Sequence, residues 1–412
     1  MLKEVLSQHP DLFQRVHTLY LPKQVTQGDD DLLSALLHPA PALTKLRIDT
    51  QDADLKAVYA SVSQCTGLVE FEDWGDDLPP EVVQEVVVPT LQKLSRLQSI
   101  YLPVTLKGTL TFLDNLSIFP SLLTLHLQIL HDTPGTEPIP ATAATPAKGA
   151  SLKTFIITTG QGDLMVSAVR HCARNSIVVE EFEFTRSPLA GESVEMVMET
   201  ISQAWPRLKK CRYSEPDYQR SRSWCQPIMV SHLVVLPAYL QPVLRLNSLQ
   251  SLELSPFSHI AIDTEFLNAL AKACPLLRSC VICTDKRVCF PDTNEAFWTV
   301  TMRDVVQFAL KMPFMRNLGI AFDGCKSSDP NPDAILEGVN EMMDEIHVNV
   351  SVVDDADYAT EMLARAFPRL RLMWWVFKLN VELELAECLR LTEAERDIWE
   401  EVEKRLGLEI IE

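Results

Sequence analysis

Apolar residues recur along this chain in a fixed phrase: an anchor residue, then apolar residues three and five positions later. In the segment Cys274-Pro275-Leu276-Leu277-Arg278-Ser279-Cys280-Val281-Ile282 the anchor is Leu277, followed by Cys280 and Ile282. Thirteen units align in this way, with anchors Val16, Leu43, Leu68, Leu97, Leu122, Leu152, Val179, Leu208, Leu249, Leu277, Met315, Met343 and Leu370. A phrase repeated at a near-constant interval is typical of a solenoid, in which each repeat buries its apolar face against its neighbours.

The spacing inside one unit predicts a β-strand. Side chains alternate between the two faces of a strand, so positions +3 and +5 face the core while +2 and +4 face the other way. Successive anchors are 25 to 30 residues apart, except for intervals of 41 residues before Leu249 and 38 before Met315. Among the anchor, +3 and +5 positions, only Asp73 is neither apolar nor cysteine.

Amphipathic segments between the strands predict helices. Apolar residues at three- and four-residue spacing, such as Val194, Val197, Met198 and Ile201, mark one buried stripe. The predicted helices cover 30–37, 54–62, 80–91, 164–173, 193–205, 264–274, 302–312 and 357–367. In six units a proline two positions before the anchor ends the helix. The expected fold is an α/β solenoid, a horseshoe with a parallel β-sheet on its concave face and helices on its convex face.

Residues 1–380 are predicted to form this solenoid, and 381–412 an acidic helical cap. The cap helix is expected to start at the capping-box pair Thr392 and Glu395. Residues 131–150, rich in proline, threonine and alanine, predict a flexible surface insertion.

Two further insertions carry aromatic residues and lengthen the two long units. They cover 214–226, with Trp224, and 284–299, with Phe297 and Trp298. Insertions in solenoids often form binding loops, and tolerated surface loops are the equally open alternative.

The units resemble leucine-rich repeats, whose core phrase is L-x-x-L-x-L, over residues 10–378. The start of one unit, Ala273-Cys274-Pro275-Leu276-Leu277, is similar to the C-P-x-L start of F-box leucine-rich-repeat proteins, and the irregular repeats look like the fungal members of that group. This resemblance implies a substrate receptor of a ubiquitin ligase. Two departures weigh against it: the asparagine or cysteine expected at +8 is missing, and residues 1–16 are too short for an F-box.

Composition narrows the choice of partner and compartment. The formal net charge of −19 argues against nucleic acid and anionic membranes, because both attract clustered basic surfaces. The N-terminus shows no secretory signal, so an intracellular location, cytoplasmic or nuclear, is expected for the chain, with its 10 cysteines reduced. Neither a cofactor nor a membrane span is predicted.

No segment carries a recognisable catalytic or metal-binding motif. Four cysteines, Cys274, Cys280, Cys283 and Cys289, invite a zinc site, but the repeat frame sends Cys280 into the core and Cys283 to the opposite face. The turn at 158–163 lacks the lysine of a phosphate loop. We therefore expect a protein that is not an enzyme.

The strand face at +2 and +4 is the predicted partner-binding surface. Parallel stacking places Lys45 and Arg47 beside Glu70 and Glu72, and Glu181 and Glu183 beside Lys210 and Arg212. The candidate residues are Tyr20, Lys45, Arg47, Glu70, Glu72, Tyr101, His126, Glu181, Glu183, Lys210, Arg212 and Trp374. Two interpretations are open: self-neutralising surface pairs, or a charged recognition strip with Tyr20, Tyr101 and Trp374 as aromatic anchors.

The expected function is that of a non-catalytic protein–protein interaction scaffold. A divergent F-box-type receptor would bind the ubiquitin-ligase adaptor only if an F-box is present upstream or in divergent form. The alternatives are a repeat protein that regulates an enzyme, as a GTPase activator or an inhibitor does, and a degenerate copy without a retained partner.

Overall fold

The computed structural model describes residues 15–23, 36–37, 40, 42–51, 53–129, 151–159, 162–186, 191–214, 234–255, 259–282, 300–334, 336–349, 351–375 and 393–408. The chain divides into two compact units, Met1–Thr185 and Arg186–Glu412. Each unit is a stack of parallel strands with helices between them, and the fold is that of a leucine-rich-repeat solenoid, as predicted.

The first unit carries seven strands whose order in the sheet follows the chain. They are β1 (Thr18–Leu21), β2 (Lys45–Ile48), β3 (Glu70–Asp73), β4 (Ser99–Pro103), β5 (Thr124–Ile129), β6 (Ser151–Thr159) and β7 (Val178–Arg186). The register joins equivalent positions of the repeat: Lys45 pairs with Glu70, and Ser99 with Thr124. The repeat frame is therefore confirmed in this unit.

The helices of the first unit return the chain from one strand to the next. They are α1 (Leu55–Val62), α2 (Pro80–Val82), α3 (Val88–Leu91), α4 (Leu106–Asp114) and α5 (Gly162–Arg174). A π-helical turn, Val83–Val87, joins α2 to α3. The Asp54 side chain accepts hydrogen bonds from the amides of Lys56 and Ala57 and so starts α1. Helix α4, which Thr105 caps at its first turn, was not predicted from the sequence.

The second unit carries six strands in the same chain-ordered parallel arrangement. They are β8 (Lys210–Ser214), β10 (Ser251–Ser255), β12 (Ser279–Ile282), β13 (Asn317–Ile320), β14 (Glu345–Asn349) and β15 (Leu372–Trp375). A separate two-stranded sheet pairs β9 (Val234–Val235) with β11 (His259–Ile260). The predicted frame holds again, since Ser251 pairs with Lys210 on one side and Ser279 on the other.

The helices of the second unit match the predicted segments within a few residues, except α7, which lies in none of them. They are α6 (Gly191–Ala204), α7 (Pro237–Leu240), α8 (Thr264–Ala273), α9 (Met302–Leu310), α10 (Ala356–Ala366) and α11 (Glu393–Leu406). Helix α11 packs on α10. The indole of Trp399 donates a 3.0 Å hydrogen bond to the carbonyl of Ser351, and its ring meets Phe322 edge-on. Helix α11 thus shields the core of this unit.

The anchors form the cores of the two units. Leu68, Leu208 and Leu277 are fully buried, while the first and last anchors, Val16 and Leu370, are half-buried. Strand β1 pairs only with β2 in the first unit and β15 only with β14 in the second, which explains the exposure of these two anchors.

Several predictions fall on residues outside the described ranges. These are most of the helix at 30–37, the three insertions, the capping-box residue Thr392 and the boundary at 380 between solenoid and cap. The predicted division into domains stays a prediction. In the described ranges, no helix has the length and apolar character needed to cross a membrane.

Candidate functional site

The solvent side of the first unit's sheet carries one row of large side chains across successive strands. The register pairs Tyr20 with Arg47, Arg47 with Glu72, Glu72 with Tyr101, and Tyr101 with His126. Each of these residues occupies the +4 position of its repeat, so the predicted alignment of this row is confirmed. We call Tyr20, Arg47, Trp74, Tyr101 and His126 the aromatic strip.

The charged pairs differ from the predicted pattern because Lys45 alone contacts both Glu70 and Glu72. Lys45 binds both neighbouring carboxylates, with its Nζ 2.9 Å from Glu70 and 3.0 Å from Glu72. These hydrogen bonds raise the pKa of Lys45. Burial alone would raise the pKa of Glu72, but hydrogen bonds from Lys45 and Trp74 outweigh it and hold that pKa below its usual value.

Arg47 lies between two aromatic rings instead of in an ion pair. Its guanidinium carbon is 3.9 Å from the Trp74 ring centre and 5.0 Å from the Tyr20 ring centre. Within the described part of the chain, Arg47 makes no hydrogen bond or salt bridge, and its Nε is buried without a partner. Both rings are exposed, Tyr20 by 53% and Trp74 by 43%. The arginine is therefore held by its neighbours' π-faces, the geometry of a cation–π contact.

Trp74 links the charged and aromatic parts of the strip. Its Nε1–H donates a 3.0 Å hydrogen bond to Glu72 Oε2, and its ring stacks on Tyr101 with centres 4.7 Å apart. Trp74 was not among the predicted site residues because it lies just after β3. It is at +6 from Leu68, so alternation would have placed it on the same face as Glu70 and Glu72.

Tyr101 and His126 continue the strip toward β6. Their rings meet edge-on at 4.5 Å, and Tyr101 donates a hydrogen bond to Gln128. His126 Nε2 lies 2.9 Å from the Thr158 hydroxyl oxygen. Burial raises the pKa of Tyr101 to about 12 and lowers the pKa of His126 to about 4. Both side chains are thus neutral near pH 7.

Asp73 lies on the core side of β3 and is fully buried. Its carboxylate accepts hydrogen bonds of 2.7 Å from Thr50 and Tyr59 and one of 3.0 Å from the Gly75 amide. Burial raises the pKa of Asp73 to about 6, and the hydrogen bonds partly offset that effect. The one polar residue in the apolar frame is therefore fully satisfied by hydrogen bonds and ties β3 to α1.

The other predicted site residues lie on strands that do not contribute to the aromatic strip. Glu181 accepts a 3.3 Å hydrogen bond from Thr154, and Glu183 follows it on β7. In the second unit, Arg212 forms a 3.0 Å salt bridge with Glu253, next to Lys210 on β8. The predicted ladder from Glu181 and Glu183 to Lys210 and Arg212 joins residues of different units and stays a prediction.

Trp374 belongs to the second unit. Its ring stacks on His347 with centres 6.1 Å apart, and His347 Nε2 lies 3.1 Å from Glu345 Oε1. The predicted aromatic anchors are thus divided between the two units, since Tyr20 and Tyr101 lie in the first.

A histidine–carboxylate pair exists that sequence spacing did not reveal. His171 Nε2 lies 2.7 Å from Asp114 Oδ1, and Asn175 donates to the same oxygen at 3.1 Å. The adjacent Cys172 is fully buried, which raises the pKa of its thiol. A buried, protonated thiol is a poor nucleophile, so Cys172 adds no reactive group to the pair. The contact between His171 and Asp114 links α5 to α4.

Five of the six cysteines in the described ranges are buried in the core, and the sixth, Cys325, is half-buried. Cys274 and Cys280 are both fully buried, as the repeat frame predicts. The Cys274 thiol lies 3.4 Å from the carbonyl oxygen of Leu246. Cys283 and Cys289 lie outside the described residues, and no group of three metal-ligating side chains occurs in the part of the chain that is described.

Comparison with known proteins finds similarity at the level of structure. No protein-family model and no curated protein matches the chain. Among solved structures, the chain is similar to a leucine-rich-repeat chain, TLR13, solved in complex with the single-stranded RNA ssRNA13. The two are 12% identical with a TM-score of 0.42, and the match covers 91% of this chain and 52% of that one. The chain thus spans about half the length of that structure.

The exclusion of nucleic acid as a partner is corrected by this comparison. It was argued from the net charge of −19. The similar leucine-rich-repeat structure is itself a complex with single-stranded RNA, so the fold does not exclude such a ligand.

Proposed function

We propose that this protein is a non-catalytic interaction scaffold that binds a protein partner through the aromatic strip. The observation that carries the proposal is the exposure of Tyr20 and Trp74 on either side of Arg47. Tyrosine, tryptophan and arginine dominate the binding energy of protein interfaces, where they cluster in the desolvated centre. These three side chains are brought together from three successive repeats.

The strip is also held in place before any partner arrives. Trp74 is fixed by its hydrogen bond to Glu72 and by stacking on Tyr101. Side chains that are already ordered lose little conformational entropy when they bind, so more of the contact energy appears as affinity. Preorganisation of this kind supports a binding role over that of an incidental surface.

Affinity capture with variants tests the proposal. Immobilised wild-type protein, Tyr20→Ala and Trp74→Ala would be exposed to extract from the source cells, and captured proteins quantified by mass spectrometry. Phe314→Ala is the matched control, because Phe314 is an aromatic side chain of the second unit that is 47% exposed. Thermal unfolding of each variant checks that the fold is retained.

The expected result is one or more proteins that depend on both Tyr20 and Trp74 but not on Phe314. Capture that is equal for all four proteins would contradict the aromatic strip as the binding surface.

A narrower form of the proposal makes the scaffold an F-box-like substrate receptor of a ubiquitin ligase. It is supported only by the resemblance of the phrase that begins at Cys274 to the starts of such repeats. Co-purification of the full-length protein with the ubiquitin-ligase adaptor tests it. Failure to recover the adaptor would remove the narrower form and leave the general scaffold in place.

That narrower form also requires a reducing intracellular setting. In that setting the 10 cysteines of the chain are expected to stay reduced.

A further inference from the structure

We infer that the aromatic strip recognises a carboxylate side chain of its partner, an aspartate or glutamate, through the guanidinium of Arg47. The inference rests on the proposed function and adds the chemistry of the group that is bound.

The carboxylate nearest in register to Arg47 is already bound elsewhere. Glu72 Oε1 lies 3.0 Å from Lys45 Nζ, and Glu72 Oε2 accepts the 3.0 Å hydrogen bond from Trp74. Glu70 is bound to the same lysine. Lys45 therefore binds both local carboxylates, although its single charge balances only one of them, and Arg47 has no ion-pair partner in the described part of the chain.

The aromatic contacts leave part of the Arg47 guanidinium available. Its central carbon is 3.9 Å from the Trp74 ring centre and 5.0 Å from the Tyr20 ring centre, and Nε is buried, so Nη1 and Nη2 are the donors that can meet an external ligand. A planar guanidinium presents paired N–H donors that match the two oxygens of a carboxylate. The geometry thus offers one bidentate site with aromatic walls.

The surroundings strengthen such a contact. An ion pair formed next to Trp74 and Tyr20 would be shielded from water by these rings, and electrostatic attraction grows as the local dielectric constant falls. One guanidinium matches one carboxylate, whereas a nucleic-acid backbone brings a series of phosphates. We therefore assign the bound group as a carboxylate of a protein, and RNA phosphate is tested as a separate ligand.

Selection from a displayed library of random peptides tests the inference directly. Wild-type protein, Arg47→Gln, Arg47→Lys and Trp74→Ala would be used as baits. Lys56→Gln is the matched control, since it makes the same charge change at an exposed position on α1 instead of on the sheet. Peptides that wild-type protein selects would be synthesised, and their Kd measured for every variant.

We expect wild-type protein to enrich peptides with aspartate or glutamate at one fixed position. Arg47→Gln should weaken the best peptide by about 10-fold or more, because a charge-assisted bidentate pair is lost. Arg47→Lys should weaken it as well, since lysine lacks the fork. Changing the acidic peptide residue to its amide should have a similar effect on wild-type protein and little further effect on Arg47→Gln.

The outcomes separate the inference from the function on which it rests. If Trp74→Ala leaves peptide binding unchanged, the proposed function fails. If binding requires Trp74 but the peptides show no acidic position, or Arg47→Gln binds them as well as wild type, the inference alone is overturned. The change of the acidic peptide residue to its amide needs no protein variant. It therefore tests the inference even if an Arg47 variant unfolds.

A short single-stranded RNA oligonucleotide serves as the second probe. RNA binding that depends on Arg47 and competes with the peptide would overturn the assignment of a protein carboxylate. RNA that leaves the bound peptide in place supports it.

Discussion

The guanidinium carbon of Arg47 lies 3.9 Å from the centre of the Trp74 ring. Arg47 is on β2 and Trp74 follows β3, so two repeats supply the two halves of this contact. The repeat frame alone places Arg47 opposite Glu72, and the ion pair expected there does not form. Arg47 instead contacts Trp74 and has no ion-pair partner among the described residues.

Charge reversal should separate Lys45 from Arg47. Lys45→Glu puts a third carboxylate beside Glu70 and Glu72, while Arg47→Glu breaks no ion pair of the described residues. We expect Lys45→Glu to lower the free energy of unfolding by about 1 kcal/mol, the larger effect of the two, as measured by urea denaturation. Lys45→Met, which removes the attraction without adding a charge, serves as the control. A larger loss of stability in Arg47→Glu than in Lys45→Glu would contradict the pairing.

Replacement of Asp73 by asparagine should change the pH dependence of stability. The folded-state pKa of about 6 is above the ordinary value of 3.8 because the carboxylate is buried. The folded state thus binds the proton more tightly than the unfolded chain, and Asp73 costs stability as the pH rises through this window. A shift of about two pKa units corresponds to about 3 kcal/mol.

The free energy of unfolding of Asp73→Asn relative to wild type should therefore rise between pH 4 and pH 6 and level off above. Urea denaturation at several pH values measures this difference, in which the titration of distant groups cancels. Parallel profiles for the two proteins would show that Asp73 does not titrate in this window.

The repeat frame was predictable because its physics is local. Anchors such as Leu68 and the +3 and +5 positions follow from strand alternation, and the observed register pairs Lys45 with Glu70 as expected. Asp73 stands out in the sequence as the exception to the apolar frame. Its partners Thr50 and Tyr59 are 23 and 14 residues away, on another repeat and a helix, where no periodicity points to them.

The buried pair Arg303 and Asp329 should be a major source of stability in the second unit. Arg303 Nε lies 2.7 Å from Asp329, and Tyr358 donates to the same carboxylate. Arg303→Met would leave a buried charge unpaired, and we expect a loss of about 3–5 kcal/mol in urea denaturation. Arg369→Met removes the exposed 3.7 Å pair with Glu341 and should cost under about 1 kcal/mol. Equal losses for the two variants would contradict the burial of the first pair.

Thiol alkylation under native conditions should follow burial. Burial raises the pKa of Cys65 and Cys274 to about 11 and that of Cys211 to about 12, so these thiols stay protonated. Cys325 is only half-buried. Among these four, Cys325 should react with iodoacetamide first, with the others modified only after unfolding, as followed by peptide mass spectrometry. Early modification of Cys274 would contradict its place in the core.

The candidate site was only partly predictable, for a related reason. Tyr20, Arg47, Tyr101 and His126 share one position of the repeat, so alternation alone put them on one face. The choice of Lys45 as the partner of Glu72, and the stacking of Trp74 on Arg47, depend on side-chain rotamers and on a residue just past the strand end. Neither is encoded in the spacing of apolar positions.

Site-specific photocrosslinking tests the central claim most directly. A photoreactive phenylalanine analogue at Tyr20, placed in otherwise unchanged protein in its native cells, reports what touches the aromatic strip, and the same analogue at Phe314 reports background contacts. We predict a discrete crosslinked protein from position 20 that is absent from position 314 and disappears with Trp74→Ala. Identical crosslinking patterns from positions 20 and 314 would contradict the aromatic strip as the binding surface.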